Sequence, residues 1–191
     1  MSDAINKIIK LMEDYLDPKD YVKTYKDIMD QIPDWNEELI SKIIAFYELK
    51  VRPNSKDLVR EFVSCDDNEK INFWIVIHRI KKINNSDEKY CASALVALHK
   101  PDEPIYSSKV SKALNFEESY EKDNYQFSVD KIRCFYFVCE RDDVKAFKRN
   151  CIKAFNKKYN DYKEDVSDVK KIDFVLWAIG AEGEHTWIDY I

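Results

Sequence analysis

The chain has 191 residues with 36 acids, 31 bases and a net charge of −5; 45% hydrophobic residues provide for a sizeable core and exclude a disordered or polybasic chain. Its only glycines, Gly180 and Gly183, leave no place for a P-loop or a Gly-rich dinucleotide loop, and they argue against a sheet built on tight hairpins. Helices joined by Pro, Asn and Asp turns remain.

Ser2 caps a predicted helix to about Leu16, with Ile5, Ile8, Ile9, Met12 and Leu16 at helical spacing. Asp17-Pro18, an N-cap followed by Pro at the first helical position, opens a second helix to about Ile32. Pro33-Asp34 ends that helix and starts a third, which stops near Pro53. Ser55 caps a short helix carrying Leu58, Val59 and Phe62. Asp66 or Asp67 opens the next, with Ile71, Phe73, Trp74, Ile75, Ile77 and Ile80. It is apolar around much of its circumference, which predicts a central position. After the turn Asn84-Asn85-Ser86 come a buried helix from Tyr90 to His99, a Pro-flanked corner over Lys100 to Pro104, and a helix from Ser107 to Leu114.

The acidic, aromatic stretch from Asn115 to Phe127 reads as a surface loop or a ragged short helix. A long helix, with room for a break, spans about Val129 to Tyr159, and a polar linker follows. Ser167 caps the last helix, VKKIDFVLWAI, and Gly180 sits where a left-handed C-terminal residue belongs. Trp187, Ile188 and Ile191 are expected to pack on the body or on a partner. The expected fold is a single all-α domain, residues 1–191, of about eight helices, with two lobes, 1–83 and 84–191, as an option.

Few residues are placed for chemistry. The five cysteines, Cys65, Cys91, Cys134, Cys139 and Cys151, are odd in number and irregularly spaced, and no apolar run is long enough for a membrane span. Reduced thiols in a cytoplasmic protein are expected. Cys134 and Cys139 lack a second ligand pair, so thiols buried on a core helix are expected there rather than zinc. His78, His99 and His185 stand apart from any nucleophile. No metal, cofactor or membrane partner is implied.

One segment departs from the acidic balance. From Val144 to Tyr159 there are six bases and no acid, and Lys145, Arg149, Lys153 and Lys157 share one arc opposite Phe147, Cys151, Ala154 and Phe155. This row is either a solvated face or a phosphate-contacting one. Asp102 and Glu103 at the corner are candidate acid–base groups, with a solvated face as the plain reading.

The segment NNSDEKYCASALVALHKPDEPIYSSKV, residues 84–110, resembles the central part of the helix-hairpin-helix DNA glycosylase superfamily, and DFVLWAIG is similar to the last helix of small relatives of that family. In the family a glycine-containing hairpin precedes a helix that starts with a small residue, here Ala92, and a V-D-x-x-V segment opens another helix, here Ile105 to Val110. The resemblance implies a glycosylase-like helical bundle and a DNA or RNA partner. The chain departs from the pattern at each chemical position. The hairpin place, Asn84 to Glu88, has no glycine and two acids; Ser107 or Ser108 replaces the catalytic aspartate; and Tyr90, beside Lys89, falls where a catalytic lysine would stand.

The resulting expectation is a non-catalytic nucleic-acid-binding protein using Lys145, Arg149, Lys153 and Lys157 together with Ser107, Ser108 and Lys109. The alternative is a protein-interaction or homo-oligomer module using loop 116–127 and the apolar tail. An enzyme built on Asp102 and Glu103 comes last.

Overall fold

The computed structural model describes residues 2–49, 55–63, 71–81, 88–116 and 125–191, and every regular element among them is helical. The α-helices are Ser2–Tyr15 (α1), Tyr21–Gln31 (α2), Glu37–Phe46 (α3), Ser55–Val63 (α4), Phe73–Lys81 (α5), Glu88–His99 (α6), Ser108–Ala113 (α7), Tyr125–Arg133 (α8), Asp142–Lys158 (α9) and Asp168–Glu182 (α10). The all-α class expected from composition is what the chain adopts.

The centre is α10. Ten of its residues, from Lys170 to Gly180, are buried, because α7 lies along one side and α1 and α9 along another. The helix 71–80, expected at the centre, is peripheral: α5 packs on α6, and Trp74 and Ile75 are 46% and 40% exposed. On α6, by contrast, every residue from Cys91 to Leu98 is buried. One continuous core joins residues on both sides of position 83, with α1 on α9 and α10 and with α4 and α5 on α6.

Caps fix several of the boundaries. The side chains of Asn36, Ser107 and Ser167 accept from the backbone N–H groups of Leu39, Val110 and Lys170 at 2.9, 3.1 and 3.3 Å. Asn72 does the same for Ile75 at 3.0 Å and opens α5. The expected Asp66/Asp67 cap and the 84–87 turn lie outside the described residues.

Three local readings are corrected. Pro18 opens a short 3-10 turn, Asp17–Lys19, and α2 begins only after Asp20, whose φ of 49° is a left-handed turn that Asp tolerates. Gly180 does not end α10. The helix runs to Glu182 and Gly183 is its left-handed C-terminal residue, with φ 85°. The long helix 129–159 is two helices, because a π-helical turn over Cys134–Val138 separates α8 from α9.

That turn also moves its thiols. Cys134 is exposed and Cys139 half-buried, so neither is a core residue. In the tail, Trp187 is buried with ring centroids 5.5 Å from Phe135 and 5.7 Å from Phe147, and Tyr190 is buried as well. Ile188 and Ile191, expected on the body or on a partner, do not pack on the body and are 55% and 45% exposed. A reciprocal Thr186–Asp189 cap makes the last turn, and that turn presents Ile188 outward.

Candidate functional site

Among the described residues, two places bear on the expected chemistry. The first lies on α10. Lys170 and Asp173 stand one turn apart on a helix buried from Lys170 to Gly180 except at Trp177, so packing that helix into the core takes both charges out of water. Each has found partners. Lys170 Nζ donates to Asp173 Oδ2 at 2.7 Å, the backbone N–H of Ile105 donates to the same oxygen at 3.2 Å, and the Tyr136 hydroxyl donates to Oδ1. Burial pushes the Asp173 carboxyl above the usual carboxylate range, against the opposing pull of Lys170 and Tyr136.

The pair lines a cavity of about 60 Å³ together with Tyr21, Tyr25, Phe46, Tyr47, Phe174 and Trp177. The rings meet edge to face, with centroids 4.9 Å apart for Tyr21 and Trp177 and 4.7 Å for Phe46 and Tyr47. The Tyr47 hydroxyl is buried without a hydrogen-bond partner. A cavity of this size holds a few waters and is less than half the size of one that takes a benzene ring. Both Asp173 oxygens are occupied, so this network acts as a staple between α10, the π turn and the corner at Ile105 and offers no free acid or base. Sequence spacing alone passed over it. The available signal was Lys170 and Asp173 at i and i+3, leading into the apolar run Phe174 to Ile179.

The second place is the outer face of α9, where the expected basic arc forms. Its bases divide into two groups. Lys158 reaches Asp17 at 2.7 Å and Glu13 at 3.6 Å; Lys145 pairs with Glu140; and Lys148 donates to the Tyr136 carbonyl at 2.8 Å. The other group points to solvent. Arg149, Lys153 and Lys157 are exposed, and none of the ion pairs among the described residues includes them. Lys157 makes one long contact, 3.4 Å, to Asn6 Oδ1. At the rise of an α-helix these three cations stand about 6 Å apart along the axis.

The corner residues are differently used. The Ser107 hydroxyl caps α7 and is buried; Ser108 is exposed; and Lys109 Nζ rests 3.9 Å from the centroid of the Trp177 ring. Burial pulls the Lys109 ammonium below the usual lysine range. Of this trio only Ser108 faces solvent fully. The candidate acids separate as well. Asp102 is exposed, and Glu103 is tied to Arg133.

Residues 117–124 of the 116–127 loop and residues 84–87 of the hairpin place 84–88 lie outside the described residues. Among the described residues no three His, Cys, Asp or Glu side chains are grouped to hold a metal ion, and no helix is long and apolar enough to cross a membrane.

No family model matches the chain, and neither do curated proteins or solved structures. A functional reading therefore rests on the side chains themselves.

Proposed function

We propose that this is a non-catalytic, all-helical nucleic-acid-binding protein, akin to the helix-hairpin-helix glycosylases, that lays the Arg149-Lys153-Lys157 row of α9 against the phosphate backbone of DNA or RNA. The observation that carries this reading is the uncompensated state of those three cations. In a chain of net charge −5, where the other bases of α9 are spent on internal partners, this row remains open to an anion. Ser108, exposed at the start of α7, is a secondary contact in this reading.

Absence of chemistry is part of the proposal. The place of the family's aspartate falls on Ser107, which is committed to its cap, or on the exposed Ser108, and Asp173 is engaged by Lys170, Tyr136 and Ile105. Neither offers a carboxylate to stabilise a developing cationic sugar.

The test is the Arg149→Glu/Lys153→Glu/Lys157→Glu variant, whose three positions lie outside the core, so its circular dichroism should match the parent. Its affinity for a labelled oligonucleotide is expected to fall by about tenfold or more. Unchanged affinity would overturn the proposal.

The exposed Ile188 and Ile191, held in place by buried Trp187 and Tyr190, favour a second reading, a protein interface at the tail. Removing the whole tail would also remove Trp187 from the core, so Ile188→Asp/Ile191→Asp is the cleaner variant. Light scattering should then show a parent oligomer reduced to a monomer, and a monomeric parent at high concentration removes this reading.

A further inference from the structure

The π turn between α8 and α9 carries a cysteine at each end of its closing hydrogen bond. A π turn closes through an i→i+5 backbone hydrogen bond, and here the N–H of Cys139 donates to the carbonyl of Cys134 at 2.8 Å. The two Cα atoms of a helical turn closed by one backbone hydrogen bond lie roughly 6 Å apart. That is inside the range a disulfide spans, about 4.4–6.8 Å. In an unbroken α-helix the same two positions would diverge by more than a turn and could not pair, so the inserted residue of the π turn is what makes the approach possible.

The surroundings distinguish this pair from the other described thiols. Both sulfurs are free; Cys134 is exposed and Cys139 half-buried, whereas Cys91 and Cys151 are buried. Burial raises the Cys151 thiol well above its usual range, which makes it inert. The Lys148 ammonium, anchored at 2.8 Å on the Tyr136 carbonyl inside the same turn, lies within electrostatic reach of both Cys134 and Cys139. No third metal-ligating side chain joins them among the described residues, so a metal does not compete for the pair.

The geometry points to Cys134 and Cys139 as a dithiol that a hydroperoxide oxidises to an intramolecular disulfide. The exposed Cys134 sulfur attacks one oxygen of the hydroperoxide. The O–O bond breaks, an alcohol leaves (water, when the oxidant is hydrogen peroxide), and Cys134 becomes a sulfenic acid. The Cys139 sulfur then attacks the Cys134 sulfur and displaces its hydroxyl as water. Two thiols and one hydroperoxide give one disulfide, one water and one alcohol, with two electrons passing from sulfur to oxygen. The bond closes the C-terminal end of the π turn and fixes the segment leading into α9.

The sequence makes the test direct. Trypsin cuts after Arg133 and Arg141, so both cysteines fall in one peptide, CFYFVCER, residues 134–141. The reduced full-length protein is treated with one equivalent of hydrogen peroxide, alkylated with iodoacetamide, digested and weighed. The expected product is this peptide lighter than the dithiol form by about 2 Da, unalkylated, and returned to two alkylated cysteines by dithiothreitol. In Cys139→Ser treated with excess peroxide, Cys134 should instead gain oxygen as the sulfinic or sulfonic acid. The proposal is overturned if parent Cys134 gains oxygen while Cys139 remains alkylatable, if the disulfides formed link separate molecules, or if the peptide is unchanged by excess peroxide.

Discussion

Lys170 Nζ lies 2.7 Å from Asp173 Oδ2, one turn apart on α10, and the two side chains are 2% and 5% exposed. Two charges so far from water are stable only because each neutralises the other, with Tyr136 and the Ile105 amide donating to the carboxylate as well. Losing one partner strands the other. Lys170→Met or Asp173→Leu alone should each cost roughly 3–5 kcal/mol in urea unfolding, and the double variant should cost clearly less than the sum. Additive losses in that cycle would mean that the two side chains do not act as a pair.

The two glycines should respond differently to the same methyl group. A Cβ on Gly180 would sit 2.0 Å from the Lys109 carbonyl oxygen, a backbone atom, so α7 and α10 would have to separate. A Cβ on Gly183 would meet only the movable end of the Lys112 side chain, at 2.6 Å, and the strain there comes from φ 85°. Gly180→Ala should lose about 2–3 kcal/mol by overpacking and Gly183→Ala about 1 kcal/mol. Equal thermal stability of the two variants would contradict the close crossing.

These glycines also mark where sequence reading stops. Helix existence was legible because it is local: Ser107 and Ser167 announce caps, and apolar spacing announces inner faces. The end of α10 was not, because a left-handed terminus at Gly183 and a close helix crossing at Gly180 ask for the same residue for different reasons, and only tertiary packing separates them. The π turn was hidden likewise, since CFYFVC is apolar enough to continue a helix. On α9 the arc was visible as spacing, but its division into spent and free cations depends on Asp17, Glu13 and the Tyr136 carbonyl, which the fold supplies. The Lys170–Asp173 pair was overlooked because two charges in an apolar helix look like surface until the helix is seen to be central.

Two histidines should titrate on opposite sides of the ordinary imidazole value of 6.5. A hydrogen bond to the Glu182 carboxylate raises His185, so its contribution to stability is present below that value and is lost as pH rises through its folded pKa. Burial lowers His99 despite a hydrogen bond with the Phe62 backbone, so its contribution is present above that value and is lost as pH falls through its folded pKa. Imidazole proton shifts followed by NMR should show a higher midpoint for His185 than for His99, and Glu182→Gln should bring only the His185 midpoint down. A shared midpoint near 6.5 would refute both environments.

In the proposed function Arg149, Lys153 and Lys157 engage a phosphate backbone. The most direct measurement is the salt dependence of oligonucleotide affinity by fluorescence anisotropy, beginning at about 50 mM salt. Three phosphate contacts predict that log K falls with log salt at a slope of roughly −3 for duplex DNA and roughly −2 for a single strand. Absence of binding at the lowest salt, or affinity insensitive to salt, would contradict the account.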